Sequence, residues 1–372
     1  MQSRTSGAQR RRGIALIIVL IVIVVLGILA GGFAYSMKVE TTLARHASFT
    51  SELEWMGRSG VEVAKWVLSQ GSQGQNATFD SLKQKWAGGM GDTNTALSDI
   101  DLKNYPIYAP DGSIKGTLSI EIEDLDRKFN INRADEVILR QALTLIGVDA
   151  GSMTTIVSSI LDWRDVDTNP HASGTESSVY EQETPPYFAK DGPIDDMSEL
   201  LLIRGIKENP NVYFGSGGGH LSLPPQAQSL RRASGSVFEE PTYAVGLNDL
   251  FTALSGPGIN INTTSATVLQ LIPVIDENIA QAIIQRRAGP DGQDGTEDDM
   301  PFHTPAEIMM GPLLGGGQAN PALQQFMSMF TVKSLVFKVR VTASIASSKR
   351  TYVAILRRLN AKDIQTLNLY WE

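Results

Sequence analysis

The sequence predicts an α+β protein carried on a long N-terminal helix, and three observations predict it. An uncharged, nearly all-apolar run occupies residues 14–37, strand patterns flank a long helical middle, and that middle contains an internal repeat. The expected architecture is a transmembrane and stem helix packed on a small antiparallel β-sheet. A large, mainly helical domain, containing a tandem helix-hairpin-helix-like repeat, is inserted between the strands.

The helix comes first. At about 1.5 Å per residue, roughly two dozen helical residues cover the ~30 Å hydrocarbon core of a bilayer. Arg10, Arg11 and Arg12 precede the run and only Lys38, Glu40 and Arg45 follow closely. That bias puts the short tail in the cytoplasm and the body outside it. Beyond the apolar run no proline intervenes, and Phe49, Leu53, Met56, Gly60, Ala64 and Val67 recur three or four apart, forming one apolar face. One helix from about residue 14 to about residue 70 is expected, with residues 14–37 in lipid and 38–70 as a stem in water.

Strands follow. Residues 106–108 and 116–122 flank a turn at Asp111-Gly112, and the second segment alternates as a half-buried strand does. Near the other end, residues 336–343 and 351–356 read as a hairpin around Ser347-Ser348-Lys349-Arg350. Residues 71–124 and 331–372 therefore form the α+β domain, and residues 125–330 the insertion.

Within the insertion, Phe129-Asn130-Ile131-Asn132 is echoed by Ile259-Asn260-Ile261-Asn262. Matching apolar pairs follow, Ile138-Leu139 and Val268-Leu269, then second helices at 155–164 and 277–287. Each unit closes with a short acidic-aliphatic helix, at 197–202 and at 304–309. The units span about 125–206 and 255–315, with a linker at about 207–254 that includes the glycine-rich run 215–219.

The basic leader ending in Gly13 immediately before Ile14 resembles the class III leader of type IV pilins and pseudopilins. The resemblance implies cleavage by a prepilin peptidase between Gly13 and Ile14, loss of residues 1–13, and methylation of the new N-terminus. In that family the fifth mature residue is usually Glu; here it is Ile18. A carboxylate in hydrocarbon is costly unless paired, so a subunit lacking it has lost the group that recruits it onto a subunit already in place. This departure, the repeat, and the segments Leu161-Asp162-Trp163-Arg164-Asp165 and Thr184-Pro185-Pro186-Tyr187 are similar to the general secretion pathway protein K family of type II secretion. The resemblance implies a minor pseudopilin that initiates or caps a periplasmic pseudopilus. Its implied partners are other minor pseudopilins at the filament tip, the major pseudopilin, the inner-membrane secretion platform and the prepilin peptidase. It also implies a single-pass inner-membrane location with a periplasmic body. An uncleaved signal anchor and a minor pilin of a related pilus system are the neighbouring alternatives.

A helix-hairpin-helix DNA receptor is the rival from another class, and charge argues against it. Without the four leader arginines, the formal net charge of -8 becomes -12 for the remaining chain, which disfavours nucleic acid. The second hairpin turn, Ile272-Pro273-Val274-Ile275-Asp276, has no glycine and sets Asp276 and Glu277 where phosphate would approach. There is no cysteine, which excludes disulfides and thiolate metal sites. No G-x-S-x-G, P-loop or H-E-x-x-H motif occurs, and His46, His171, His220 and His303 are far apart in sequence, so no enzyme is expected. Trp163 and Tyr187 read as core aromatics.

Two acidic clusters are candidate Ca²⁺ sites. Asp291, Asp294, Glu297, Asp298 and Asp299 lie in a glycine-containing turn, where a tight loop would converge hard oxygen ligands. The EF-hand spacing fails there, because Gln293 and Gly295 stand at ligand positions. Asp162, Asp165, Asp167 and Asn169 contain a D-x-D-x-N spacing, but Pro170 replaces the turn glycine. Either cluster also reads as a solvated turn, and the family resemblance raises the expectation of calcium at one of them.

Overall fold

The computed structural model describes residues 8–71, 78–89, 97, 100–215, 243–310, 321–346 and 348–372. Helix α1, Ala8–Gln70, is continuous through both the apolar run and the stem. It is the helix, among the described residues, long and apolar enough to cross a membrane. Its lower side chains, including Ile18 and Leu20 to Leu29, are exposed, as a lipid-facing surface must be.

The upper half of α1 is buried along the expected face. Leu53, Met56, Val61, Ala64, Val67 and Leu68 form one core with Leu118, Ile120, Val339, Val341, Ala343, Tyr352, Ala354 and Leu356. Full burial of each large aliphatic side chain here contributes about 1.5–3 kcal/mol. Close approach requires Gly57 and Gly60: a Cβ on the first would overlap the Tyr352 ring, and one on the second would overlap Val341.

In chain order the strands among the described residues are β1 (Tyr105–Tyr108), β2 (Ile114–Asp124), β3 (Phe129–Asn130), β4 (Phe251–Thr252), β5 (Ile259–Asn260), β6 (Phe330–Thr331), β7 (Val336–Ile345), β8 (Ser348–Asn360) and β9 (Asp363–Trp371). The main sheet is antiparallel throughout, in the order β1-β2-β7-β8-β9. On β7, Phe337, Val339, Val341, Ala343 and Ile345 alternate onto the helix-facing side. The β7–β8 turn is shorter than the sequence suggests, since Ser348 already pairs with Ile345. Strand β9 was not expected. It pairs with β8, as in Ala354↔Leu369, and carries an exposed side-chain set.

The insertion leaves at the end of β2 and returns at β7, where Asp124 and Phe337 are register partners. The return lies a few residues past the expected 330, because β6 is still part of the insertion: it pairs in parallel with β5. Helices α2 (Glu136–Ile146) and α3 (Ala150–Arg164) build the first unit. The helix Glu277–Arg287 falls where the second was expected, whereas the pair Val268-Leu269 sits on a single turn, Ala266–Leu269. Ile131, Ile138, Leu139 and Leu143 of one unit share a core with Ile261, Val268, Leu269 and Ile283 of the other. The units are therefore two halves of one body. Most of the expected linker, residues 216–242, lies outside the described residues.

Candidate metal centre

The repeat in sequence is also a repeat in hydrogen bonding. The Asn130 side chain accepts from the Asn132 N–H (2.9 Å), and Asn260 accepts from Asn262 (2.9 Å). Asn132 then pairs through both its donor and its acceptor with the backbone of Ile194 (2.8 Å each), as Asn262 does with Phe302 (2.9 and 2.8 Å). An arginine at the end of the second helix reaches back to the opening of its own unit. Arg164 donates to the carbonyls of Ile131 and Ala134, and Arg287 donates to those of Ile261 (2.9 Å) and Thr264 (2.7 Å). Each acidic cluster thus lies near the end of its unit's second helix, the first starting within α3 and the second after Arg287.

Asp149 and Asp276 cap those second helices, accepting from Ser152 (3.0 Å) and Ile279 (2.8 Å). Each helix N-terminus thus carries a carboxylate bonded to a first-turn N–H, which puts negative charge where a phosphate would approach. Trp163 and Tyr180 meet edge to face, with Tyr187 stacked on Tyr180, as expected of core aromatics.

The two clusters differ in what their carboxylates touch. In the first, Asp162 is fully buried; its Oδ1 accepts the His171 N–H (2.9 Å) and lies 2.5 Å from His171 Nδ1. The ligand atoms of Asp162, Asp165 and His171 lie within 4.8 Å of one another. Among the described residues, Asp162 Oδ2, Asp165 Oδ1, both oxygens of Glu176, and Asp191 Oδ1 are buried with no hydrogen-bond partner, and Glu176 feels the charges of Asp162, Asp165 and Asp191. Burial, followed by neighbouring carboxylates, pushes Asp165 and Glu176 above the usual carboxylate range. The hydrogen bond to Asp162 raises His171. Gly174 is required because a Cβ there would overlap the Asp162 carboxylate. Asp167 instead folds its own turn, accepting from Asn169 (2.8 Å).

In the second cluster the carboxylates are consumed locally. Arg287, buried, holds Asp294 through two bonds (2.9 and 2.7 Å). Asp299 accepts from Gly295 (2.8 Å), Asp298 from Asp291 (3.0 Å) and the Thr296 hydroxyl (2.7 Å), and Asp291 from Gln293 (2.8 Å). The Glu297 backbone carbonyl receives Lys83 Nζ at 2.5 Å. Only the first cluster combines converging oxygens with unmet acceptors, the chemistry a hard divalent cation satisfies. Of its residues, Asp162 and Asp165 were expected from the sequence, whereas His171, Glu176 and Asp191 were not. Their approach is set by the long loop after α3, and no spacing rule announces it. Gly13 and Ile14, the expected processing residues, lie in the first turns of α1, and Ile18 is on its exposed apolar part.

Residues 120–210 match the sequence model of the family described as type II secretion system (T2SS), protein K. The type II secretion system protein K of Pseudomonas aeruginosa is 24% identical over 364 residues, covering 94% of this chain and 89% of that protein. A putative type II secretion system protein K of Escherichia coli K12 is 25% identical over 212 residues, covering 54% of this chain and 59% of that protein. In fold, the chain is similar to one from the crystal structure of the GspK-GspI-GspJ complex of the enterotoxigenic Escherichia coli type 2 secretion system. The TM-score is 0.60 at 18% identity, covering 88% of this chain and 99% of that chain.

Proposed function

We infer that this chain, a member of the type II secretion system protein K family, works as a minor pseudopilin at the tip of a periplasmic pseudopilus. The observation that carries the reading is the join between its halves: an apolar helix runs without a break into a stem packed on an antiparallel sheet, and a folded body interrupts that sheet between β2 and β7. The apolar half of α1 anchors the chain in the inner membrane, with the arginine-bearing tail in the cytoplasm and the body in the periplasm. Partners follow from the same reading. The similar chain of known structure is in a complex with GspI and GspJ, so the sister minor pseudopilins are the first partners to test, then the major pseudopilin and the secretion platform.

Calcium has a structural part in this reading. Asp162, Asp165, Glu176 and Asp191 would hold the ion, and its charge would offset the mutual repulsion of their buried carboxylates. The second cluster has Arg287 as its own counter-charge.

Processing tests the assignment. Mass spectrometry of protein from cells with a prepilin peptidase should find Ile14 as the first residue. Gly13→Arg should leave the leader attached, since a side chain there intrudes on the extended bond the peptidase must accept. A wild-type protein beginning at Met1 in such cells would defeat the pseudopilin reading.

A further inference from the structure

A second buried acidic group, sharing no residue with the candidate calcium cluster, lies where the insertion joins the sheet. Asp80, Asp124 and Asp126 are each 1–2% exposed, and Arg358, 1% exposed, is the cation among them. Arg358 is committed to Asp80 and to the Ser334 carbonyl (2.8 Å). Among the described residues, no ion pair is seen for Asp124 or Asp126.

Their donors differ in kind. Asp126 accepts from the backbone N–H groups of Gly256, Leu335 and Val336, which cannot reverse direction and favour the anion, although burial outweighs them and pushes Asp126 up. Asp124 Oδ1 accepts from Asp126 N–H (2.8 Å). Its Oδ2 faces the hydroxyls of Ser334 (2.6 Å) and Thr263 (2.5 Å), and Asn260 Nδ2 at 3.4 Å. Hydroxyls can rotate to accept, so a protonated Asp124 has an acceptor waiting. The groups facing it come from every element at the junction. Asp126 is on the turn after β2, Asp80 on the segment after the stem, and Arg358 on β8 reaches it through Asp80. Asn260, Thr263 and Ser334, from the second repeat unit and the returning chain, are neutral.

We propose that Asp124 is a proton-operated latch between the sheet and the inserted domain, holding both chain crossings when protonated and loosening them when ionised. Its position at the last residue of β2, bonded to the returning chain at Ser334 and to the second unit at Thr263, lets one proton act on all three. Burial, then the Asp126 charge, pushes Asp124 from 3.8 up to about 7. A folded value above the unfolded one means the stabilisation is complete below the unfolded value and disappears as pH rises through about 7.

Hydrogen exchange on the full-length protein in detergent micelles tests this, with uptake corrected for the intrinsic effect of pH. Peptides spanning 124–128 and 332–336 should be several-fold better protected at pH 5.5 than at pH 8, and Asp124→Asn should abolish the difference. Equal protection at the two pH values in the wild type, or an undiminished difference in the variant, overturns the latch. Should Asp124→Asn fail to fold, infrared spectra of the wild type decide instead. A buried carboxylic acid band present at pH 5.5 and lost at pH 8 is expected, and its absence at pH 5.5 overturns the proposal.

Discussion

At the candidate calcium site, single oxygens decide what can bind. Among the described residues, Asp162 Oδ2 and Asp165 Oδ1 are buried without donors, as are both oxygens of Glu176. A cation at 100 times its dissociation constant would stabilise the native state by about 2.7 kcal/mol. Thermal melts should therefore shift upward in millimolar Ca²⁺ relative to chelator, more than in Mg²⁺, whose octahedral demand suits a crowded carboxylate set poorly. Asp162→Asn should reduce that calcium-dependent shift. Gly174→Ala should reduce it too, by displacing the Asp162 carboxylate it would overlap. Identical melts in chelator and calcium would leave the cluster a metal-free structural device. Asp294→Ala should act otherwise: it strips the buried Arg287 of its paired acceptor, at a cost of about 2–3 kcal/mol that appears in calcium and chelator alike. A calcium-selective loss in that variant would return the second loop to candidacy. At this scale the sequence singled out Asp162 and Asp165 as part of an acidic run with D-x-D-x-N spacing. Glu176 and Asp191 stayed hidden because the loop after α3 brings them in from a distance that no local period encodes.

Among the elements, the contact between stem and sheet depends on glycine. Helix propensity alone would disfavour Gly57 and Gly60, by about 1 kcal/mol each relative to alanine. The ring of Tyr352 and the side chain of Val341 occupy the space their Cβ atoms would need. Gly57→Val should lower stability by about 1–3 kcal/mol through overpacking. Urea unfolding of the full-length protein followed by far-ultraviolet circular dichroism would measure it, and an unchanged midpoint would mean the stem is loosely seated. The end of the stem was legible because its apolar positions recur at helical spacing, whereas the first unit's second helix begins at Ala150, behind the Asp149 cap, five residues before the expected 155. Strand β9 was not legible: Ile364, Leu367 and Leu369 do not keep a strict alternation, and a register shift falls between Ile355 and Leu356 of its partner β8. The β7–β8 turn also escaped, because Ser348, Lys349 and Arg350 look like loop residues but are held in the ladder opposite Ile345, Ser344 and Ala343.

For the whole molecule, the position of the inserted body bears on assembly. Stems in a filament stack roughly one helix diameter, ~10 Å, apart, and a body inserted between β2 and β7 would collide with a subunit placed above. Gold labelling of a tagged chain should therefore mark filament ends, and particles spread evenly along the filament would contradict the tip position. The point of insertion has another consequence. Asp124 and Phe337 face each other across neighbouring strands, so for the sheet the whole body is only the loop of a β-hairpin. The entropy of closing a loop grows by only about 0.6 kcal/mol for each doubling of its length. A folded head in place of a tight turn therefore costs the ladder little more than the burial of one or two leucines restores. The head can grow, shrink or be exchanged over evolutionary time while the stem and its strands keep their register.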